Sequence, residues 1–315
     1  MSKIFSVGLI GLGRVGARDD FVRKKFCRTH LLTILKNKNL KLKFIIEPDE
    51  KKIIENKDFF PEIQDDKYFR NISDLDKKNI DILIYAGPIQ NKFLEIQKCI
   101  DLQPKFFLIE KPLSNKIEDA KQIVNLFKNT SITVGINYMR RFQPFLVEKL
   151  KNPNFNLINF KYTGGFFNNG THLLDLIHFY LGGIQNLRIL NTCHMGYLIN
   201  DPFLSFSAKN KNDIIINFIS LGDLNYNVIE LEIYNKNAKI ELVNNFTKKI
   251  EIPSKINCVF PGYIHLNQDK KQISENFDSG FEKLYQNIIS YLRYNKKLSI
   301  CSLEDSLRYI KFFKG

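Results

Sequence analysis

The chain has 315 residues, a formal net charge of +14, 44% hydrophobic and 25% charged residues. That balance excludes disordered, collagen-like and disulfide-scaffold classes, and the length exceeds what one core usually fills, so two domains are expected. No apolar run approaches the roughly 20 residues needed to cross a bilayer, and the apolar stretch Ile4–Ile10 runs into glycines rather than a cleavage site; a cytoplasmic protein without membrane partners is expected.

In chain order, Lys3–Ile10 reads as a strand, a glycine turn follows, and Leu31–Lys38 has helical spacing. Leu42–Glu47 is a second strand. Asp81–Ala86 (DILIYA) is almost wholly apolar, as suits a parallel strand covered on both faces. Phe93–Leu102 is helical, Phe106–Glu110 (FFLIE) is a strand, and Ile117–Lys128 is helical with Ser114 in its N-cap region. Ile132–Asn137 closes the series. Repeated β-α-β units of this length predict a doubly wound parallel sheet of Rossmann type.

The second half changes character. Strand candidates crowd together at Leu157–Tyr162, Leu187–His194, Phe203–Ala208, Asp213–Ser220, Val228–Tyr234 and Ala238–Val243. Their alternating polarity suits an open-faced, mostly antiparallel sheet. A helix at Thr171–Leu181 ends at Gly182-Gly183, and helices at Gly280–Tyr294 and Leu303–Phe313 complete an α+β domain. The expected division is therefore residues 1–138 and 139–315.

Gly11-Leu12-Gly13-Arg14-Val15-Gly16 completes a G-x-G-x-x-G directly after the first strand. In a dinucleotide site the first glycine permits the tight turn, the second lets a diphosphate approach the backbone, and the third lets helix pack on strand. The βαβ context separates this from a chance glycine cluster. The acid that holds the adenosine ribose normally lies about 20 residues further on; here Glu47 lies 31 residues past Gly16 (47 − 16). The excess is the charged stretch Ala17–Thr29, read as an insertion. It is either a solvated loop or a segment that brings Arg18, Arg23 or Lys24 to cofactor phosphates or a charged substrate. A carboxylate at Glu47 accepts from ribose hydroxyls and repels a 2′-phosphate, which favours NAD, while Lys51 and Lys52 leave NADP open.

Five scattered cysteines without a C-x-x-C pair predict free thiols and no metal site. The positive charge is spread along the chain instead of clustering with aromatics, so it reads as compositional bias and no nucleic-acid partner is expected.

Glu110-Lys111-Pro112 follows the FFLIE strand, where carboxyl ends of parallel strands line a binding crevice. A lysine there moves a proton once desolvation or a positive neighbour lowers its pKa, although a lysine after a strand is usually a surface residue. His172 and Asp175, three apart, share a face of the helix opening at Thr171. Tyr138, Arg140 and Arg141 follow the sixth strand, and Arg141 is a candidate for a substrate phosphate or carboxylate, or for a structural salt bridge. His178, His194 and His265 have no motif around them.

The sequence resembles the Gfo/Idh/MocA family of nicotinamide-dependent oxidoreductases. GLGRVG at 11–16, EKPL at 110–113, GINYMRRFQP at 135–144 and NNGTHLLDLIHFYLG at 168–182 carry the likeness, in the family's order. The resemblance implies a Rossmann domain joined to an open-sheet domain that binds substrate and oligomerises, with the active site between them. It implies hydride transfer at a hydroxyl-bearing carbon of a sugar, nucleotide sugar or phosphosugar. Carried over, Lys111 is the acid/base residue, with a cis-like junction to Pro112. Glu110 adjoins the cofactor site, Gly87-Pro88 approaches the nicotinamide ribose, and His172 binds a substrate hydroxyl or relays a proton. Asp175 positions substrate or a neighbour.

One departure stands out. Family members with a lysine-aspartate-histidine set place the aspartate four residues before the histidine, where this chain has Asn168. An amide takes no proton, so Lys111 and His172 remain the minimal couple and Asn168 a hydroxyl or carbonyl ligand. Asn168 also motivates the alternative of an NAD-binding regulatory or scaffold protein without turnover. A non-redox branch, in which the cofactor is reduced and reoxidised within one turnover, is a further option. The small-molecule enzyme is expected to form a homodimer or homotetramer.

Overall fold

The computed structural model describes residues 3–22, 26–75, 79–193 and 201–312. Two compact units are present: Met1–Phe142 with Ser279–Gly315, and Gln143–Asp278.

In the first unit, strands β1 (Phe5–Ile10), β2 (Leu40–Ile46), β3 (Tyr68–Phe69), β4 (Ile82–Tyr85), β5 (Phe106–Glu110) and β6 (Thr133–Asn137) are all parallel. Among the described residues their order is β3-β2-β1-β4-β5-β6. The order reverses between β1 and β4, so Gly11 and Gly87 leave the sheet at the switch point where ligands of such sheets bind. Both β4 and β5 are buried along their whole length, the mark of a strand covered on two faces. Helices α1 (His30–Lys36), α2 (Glu50–Phe59), α3 (Lys92–Cys99) and α4 (Ile117–Phe127) connect the strands. The α4 helix is capped at Lys116; Ser114 Oγ accepts from the Lys116 N–H at 3.0 Å rather than capping the helix itself.

The second unit opens with α5 (Pro144–Leu150), then β7 (Leu157–Tyr162) and α6 (Thr171–Leu181). Strands β8 (Gln185–Cys193), β9 (Phe203–Lys209), β10 (Ile215–Ser220), β11 (Ile229–Tyr234), β12 (Ala238–Val243), β13 (Lys248–Ile256), β14 (Ile264–Leu266) and β15 (Gln272–Glu275) follow. Together with β7 they form a mixed sheet in which only β7 and β10, among the described pairs, run parallel. Burial alternates along β7 and β11, as the polarity pattern requires of a sheet with one packed face. Expected residue His194 lies outside the described residues.

The C-terminal helices α7 (Phe281–Tyr294) and α8 (Leu303–Phe312) belong to the first unit, not to the 139–315 domain expected from the sequence. The reason lies in α7's apolar stripe. Phe281, Leu284, Tyr285, Ile288 and Ile289, at helical spacing, join one core with Val7, Leu9, Leu31 and Ile82. Chain order suggested a neighbour; the unfilled face of the parallel sheet supplied a better one. Among the described residues, no helix is long and apolar enough to cross a membrane.

Candidate functional site

The glycine turn has the geometry that its spacing requires. Gly11 adopts φ +95°, and a Cβ there would meet Ala86 O at 2.7 Å. A Cβ on Gly16 would meet Gly11 O at 2.2 Å, whereas one on Gly13 would meet nothing within 4 Å. The second glycine therefore faces open space, where a diphosphate can approach. The N–H groups of His30 and Leu31 donate to Val15 O and Gly16 O, each at 3.0 Å. The carbonyls of Val15 and Gly16 thus serve the opening turn of α1, although the stretch 17–29 separates them from the helix in sequence. The base of that stretch is tied by the buried carboxylate of Asp20, which accepts from Arg28 N–H and from Thr29 Oγ1 at 2.8 Å. Arg18 pairs with Glu55 at 3.2 Å and Arg14 with Asp19 at 3.1 Å; Arg23 and Lys24 lie outside the described residues.

A cavity of about 970 Å³ opens beside this turn, lined by Gly11, Gly13, Glu47, Asp49, Gly87 and Pro88 among others. Glu47 faces it but is only 3% exposed. One of its oxygens accepts from the Leu12 N–H at 2.8 Å and the other from the Asp49 N–H at 3.1 Å, with Lys52 Nζ at 3.5 Å. Glu47 therefore pins the glycine loop to the end of β2, and Asp49, with a half-exposed side chain, is the second acid at the same rim. The open glycine, the two acids and the cavity's size fit a dinucleotide: backbone for a diphosphate, carboxylates for ribose hydroxyls. Leu12 is buried in the core and Val15 packs against it, so these two motif residues offer backbone only. Among the described residues no group of three or more His, Cys, Asp or Glu side chains is placed to hold a metal.

At the carboxyl end of β5, Glu110 and Lys111 differ in burial. Lys111 is half-buried and joined to Pro112 through a cis peptide bond. The Glu110 carboxylate is buried, with Oε1 at 2.8 Å from His30 Nε2 and in a short contact with Asn137 Nδ2. Asn137 sits opposite Glu110 in the β5–β6 register. His30 Nδ1 lies 2.8 Å from Tyr285 Oη. Burial alone raises the Glu110 carboxyl, but the His30 hydrogen bond and charge, the Asn137 amide and the Lys111 ammonium outweigh it and hold the group below the usual carboxylate range.

Lys92 is the residue that the sequence reading passed over. Its ammonium, 4% exposed, donates to Glu110 O at 2.8 Å and to Pro112 O at 2.6 Å. Burial pushes it down to about 7; Lys111 adds to that and Glu110 opposes it. The signal was present. Lys92, Ile96 and Cys99 are the buried positions of α3, at i, i+4 and i+7, so a lysine occupies the apolar stripe of a helix. Asn137 and His30 carried no such mark, because their roles come from strand register and from where α1 begins beyond the stretch 17–29.

In the second unit, a π-helical turn, Phe166–Gly170, leads into α6. Asp201, 6% exposed, accepts from the N–H groups of Phe167 at 2.6 Å and Asn168 at 3.0 Å. This anchors the helix that carries His172 and Asp175, which are 7% and 0% exposed, while Asn168 is exposed. Back in the first unit, Tyr138 is buried edge-to-face against Tyr309, and Arg141, 4% exposed, donates to Ser299 O at 3.1 Å. Both positions suit packing within that unit.

Residues 5–138 match the family described as "Oxidoreductase family, NAD-binding Rossmann fold", named GFO_IDH_MocA. These residues, the Rossmann part of the first unit, resemble the NAD-binding domain of the Gfo/Idh/MocA family. The family is NAD-binding, and NAD is the cofactor. Solved structures share the fold along almost the whole chain. A dehydrogenase, MviM, from Clostridium difficile is 17% identical, with a TM-score of 0.73 over 99% of this chain and 98% of that one. A super-repressor mutant of Gal80p from Saccharomyces cerevisiae is 13% identical, with a TM-score of 0.73 over 99% and 94%. UDP-N-acetylglucosamine 3-dehydrogenase GnnA from Acidithiobacillus ferrooxidans is 11% identical, with a TM-score of 0.68 over 99% and 96%. No curated protein sequence matches the chain.

Proposed function

We propose that this protein is an oxidoreductase of Gfo/Idh/MocA type that moves a hydride to or from a hydroxyl-bearing carbon of a sugar, nucleotide sugar or phosphosugar. One observation carries the reading: a half-buried lysine, Lys111, directly follows strand β5 with its turn clamped by a second, buried lysine. In the oxidative direction neutral Lys111 takes the hydroxyl proton while the hydride leaves the same carbon; in the reductive direction it returns the proton to the carbonyl oxygen. The nicotinamide, when bound, supplies the hydride acceptor or donor. The backbone of Gly11–Gly16 would hold the diphosphate, Glu47 and Asp49 the adenosine ribose, and Gly87-Pro88 the nicotinamide ribose. His172 assists as a ligand or proton relay for a substrate hydroxyl, and exposed Asn168 serves as a hydrogen-bonding ligand. Likeness of fold to GnnA supports a sugar-like substrate by analogy.

The second reading is an NAD-binding regulator without turnover, favoured by Asn168 and by the likeness to the repressor Gal80p. A panel of nucleotide sugars and phosphosugars incubated with NAD and the protein decides between them. Net change at the nicotinamide absorbance band with one class of sugar is the expected result. Tight NAD binding with no net change and no altered sugar product across the panel establishes the regulator.

A further inference from the structure

Strands β13 and β14 run past the end of their neighbour β12. The pairing of β12 with β13 stops at Ala238 opposite Pro253, whereas β14 pairs with β13 at Ser254, Lys255 and Ile256. Residues 254–266 therefore form a two-stranded ribbon, and β14 is the edge strand of the sheet. Hydrogen bonds define the ribbon's turn. Asn257 N–H donates to Tyr263 O at 2.8 Å, and Asn257 Oδ1 accepts from the N–H groups of Val259 and Phe260 at 2.8 and 3.0 Å. Yet Ile256, Val259, Phe260, Tyr263 and Ile264 are each 62% to 76% exposed. We propose that this ribbon is the contact surface for a second copy of the chain, the two copies meeting β14 edge to β14 edge about a two-fold axis.

Charge, area and backbone select that occupant. Residues 256–264 (INCVFPGYI) include no charged side chain, in a protein of net charge +14. The flanking Lys255 is paired with Asp269 at 3.2 Å. A strongly positive protein meets its own copy most readily where like charges do not face each other, and this ribbon is such a place. The five side chains expose on the order of 600 Å² of apolar surface, at the top of the range left bare on monomers and near the roughly 800 Å² that each partner of a stable dimer buries. Ile256 and Ile264 stand opposite in the ladder and so share a face, and the Phe260 and Tyr263 rings meet edge to face with centroids 6.5 Å apart. A two-fold axis packs this one apolar set against itself. The open edge of β14 presents backbone N–H and C=O groups, which another strand satisfies and the interior of a lipid bilayer does not.

This contact is independent of the oxidoreductase reading, so its test uses the full chain without substrate. Light scattering gives the mass, and alkylation of Cys258, the exposed thiol of the turn, by iodoacetamide reports on the ribbon itself when read on its own peptide. The parent is expected to scatter at twice 36.9 kDa. Its Cys258 is alkylated about fivefold more slowly at about 50 µM than at about 0.5 µM, as mass action requires of a site covered in a dimer of micromolar affinity. The double variant Phe260→Lys, Ile264→Lys is a monomer with parental circular dichroism and NADH affinity, and its Cys258 reacts equally fast at both concentrations. A monomeric parent overturns the proposal, and so does a dimer whose Cys258 reacts at one rate throughout, which puts the interface elsewhere. A folded double variant that still dimerises overturns it too. Protection of Cys258 in a monomeric parent by phosphatidylcholine–phosphatidylserine vesicles replaces the second copy with a membrane surface and likewise overturns it.

Discussion

His30 Nε2 lies 2.8 Å from Glu110 Oε1, which joins the first residue of α1 to the residue just before Lys111. His30 is fully buried and Glu110 nearly so, and Tyr285 and Asn137 complete the group. Helix α1 and the neighbouring strands β5 and β6 thus meet on one carboxylate, and α7 reaches the group through His30.

Glu110→Gln removes the charge that this group is built around while leaving its donors in place. A buried pair broken on one side costs about 3 to 5 kcal/mol, and an amide that still hydrogen-bonds brings the loss to about 2 to 4 kcal/mol. Urea unfolding followed by far-UV circular dichroism measures this loss. A midpoint equal to the parent's shows that the carboxylate does not hold the group together.

The three glycines of the turn separate folding from binding. Gly16→Ala places a methyl against the Gly11 carbonyl and lowers the melting temperature by several degrees. Gly13→Ala meets open space, so it melts with the parent yet loses about tenfold or more in NADH affinity by fluorescence titration. Equal NADH affinity in Gly13→Ala contradicts the placement of the diphosphate at this turn.

Asp81 ties three elements at the other end of the sheet. It accepts from Ser6 N–H and Oγ, both at 2.9 Å, and pairs with Lys3 and Lys105. Burial raises its carboxyl, but these partners outweigh that and bring it down to about 2. A carboxyl lower in the folded state adds stability above its unfolded value of roughly 3.9, and that stability is lost as pH falls through 2. Asp81→Asn is therefore less stable than the parent at pH 6, and the gap narrows between pH 4 and pH 2. Unfolding midpoints taken across this range check it; a constant gap refutes it.

In the second unit, Asp201→Ala leaves the N–H groups of Phe167 and Asn168 without their acceptor. We expect a loss of about 1 to 3 kcal/mol in stability and a fall in turnover, with NADH affinity unchanged. Thermal unfolding and NADH titration of the same preparation test this. Weakened NADH binding at parental stability contradicts a role confined to anchoring α6.

Much of this was legible in the sequence because the decisive signals were local. The strand FFLIE, the helix Thr171–Leu181 with its glycine stop, and the G-x-G-x-x-G turn each depend on residues within one element, and the structure has them at the expected places. Short or polar elements were missed. Helix α2 lacks an apolar stripe, with only Ile53 and Asn56 buried, and β3 is two residues long. The return of α7 to the first unit depends on which face was left uncovered, which no local pattern records. Among the candidate site residues, Lys111 stood out in the sequence through its motif. Lys92 was hidden by an expected helix that began one residue too late, at Phe93, and so left the lysine off the stripe that it shares with Ile96 and Cys99.

The most direct measurement compares NADH affinity and sugar turnover in Lys111→Ala with those of the parent. The account predicts an affinity within about threefold and a turnover lower by about a hundredfold or more, the scale of a lost general acid/base group. Parental turnover in that variant contradicts it.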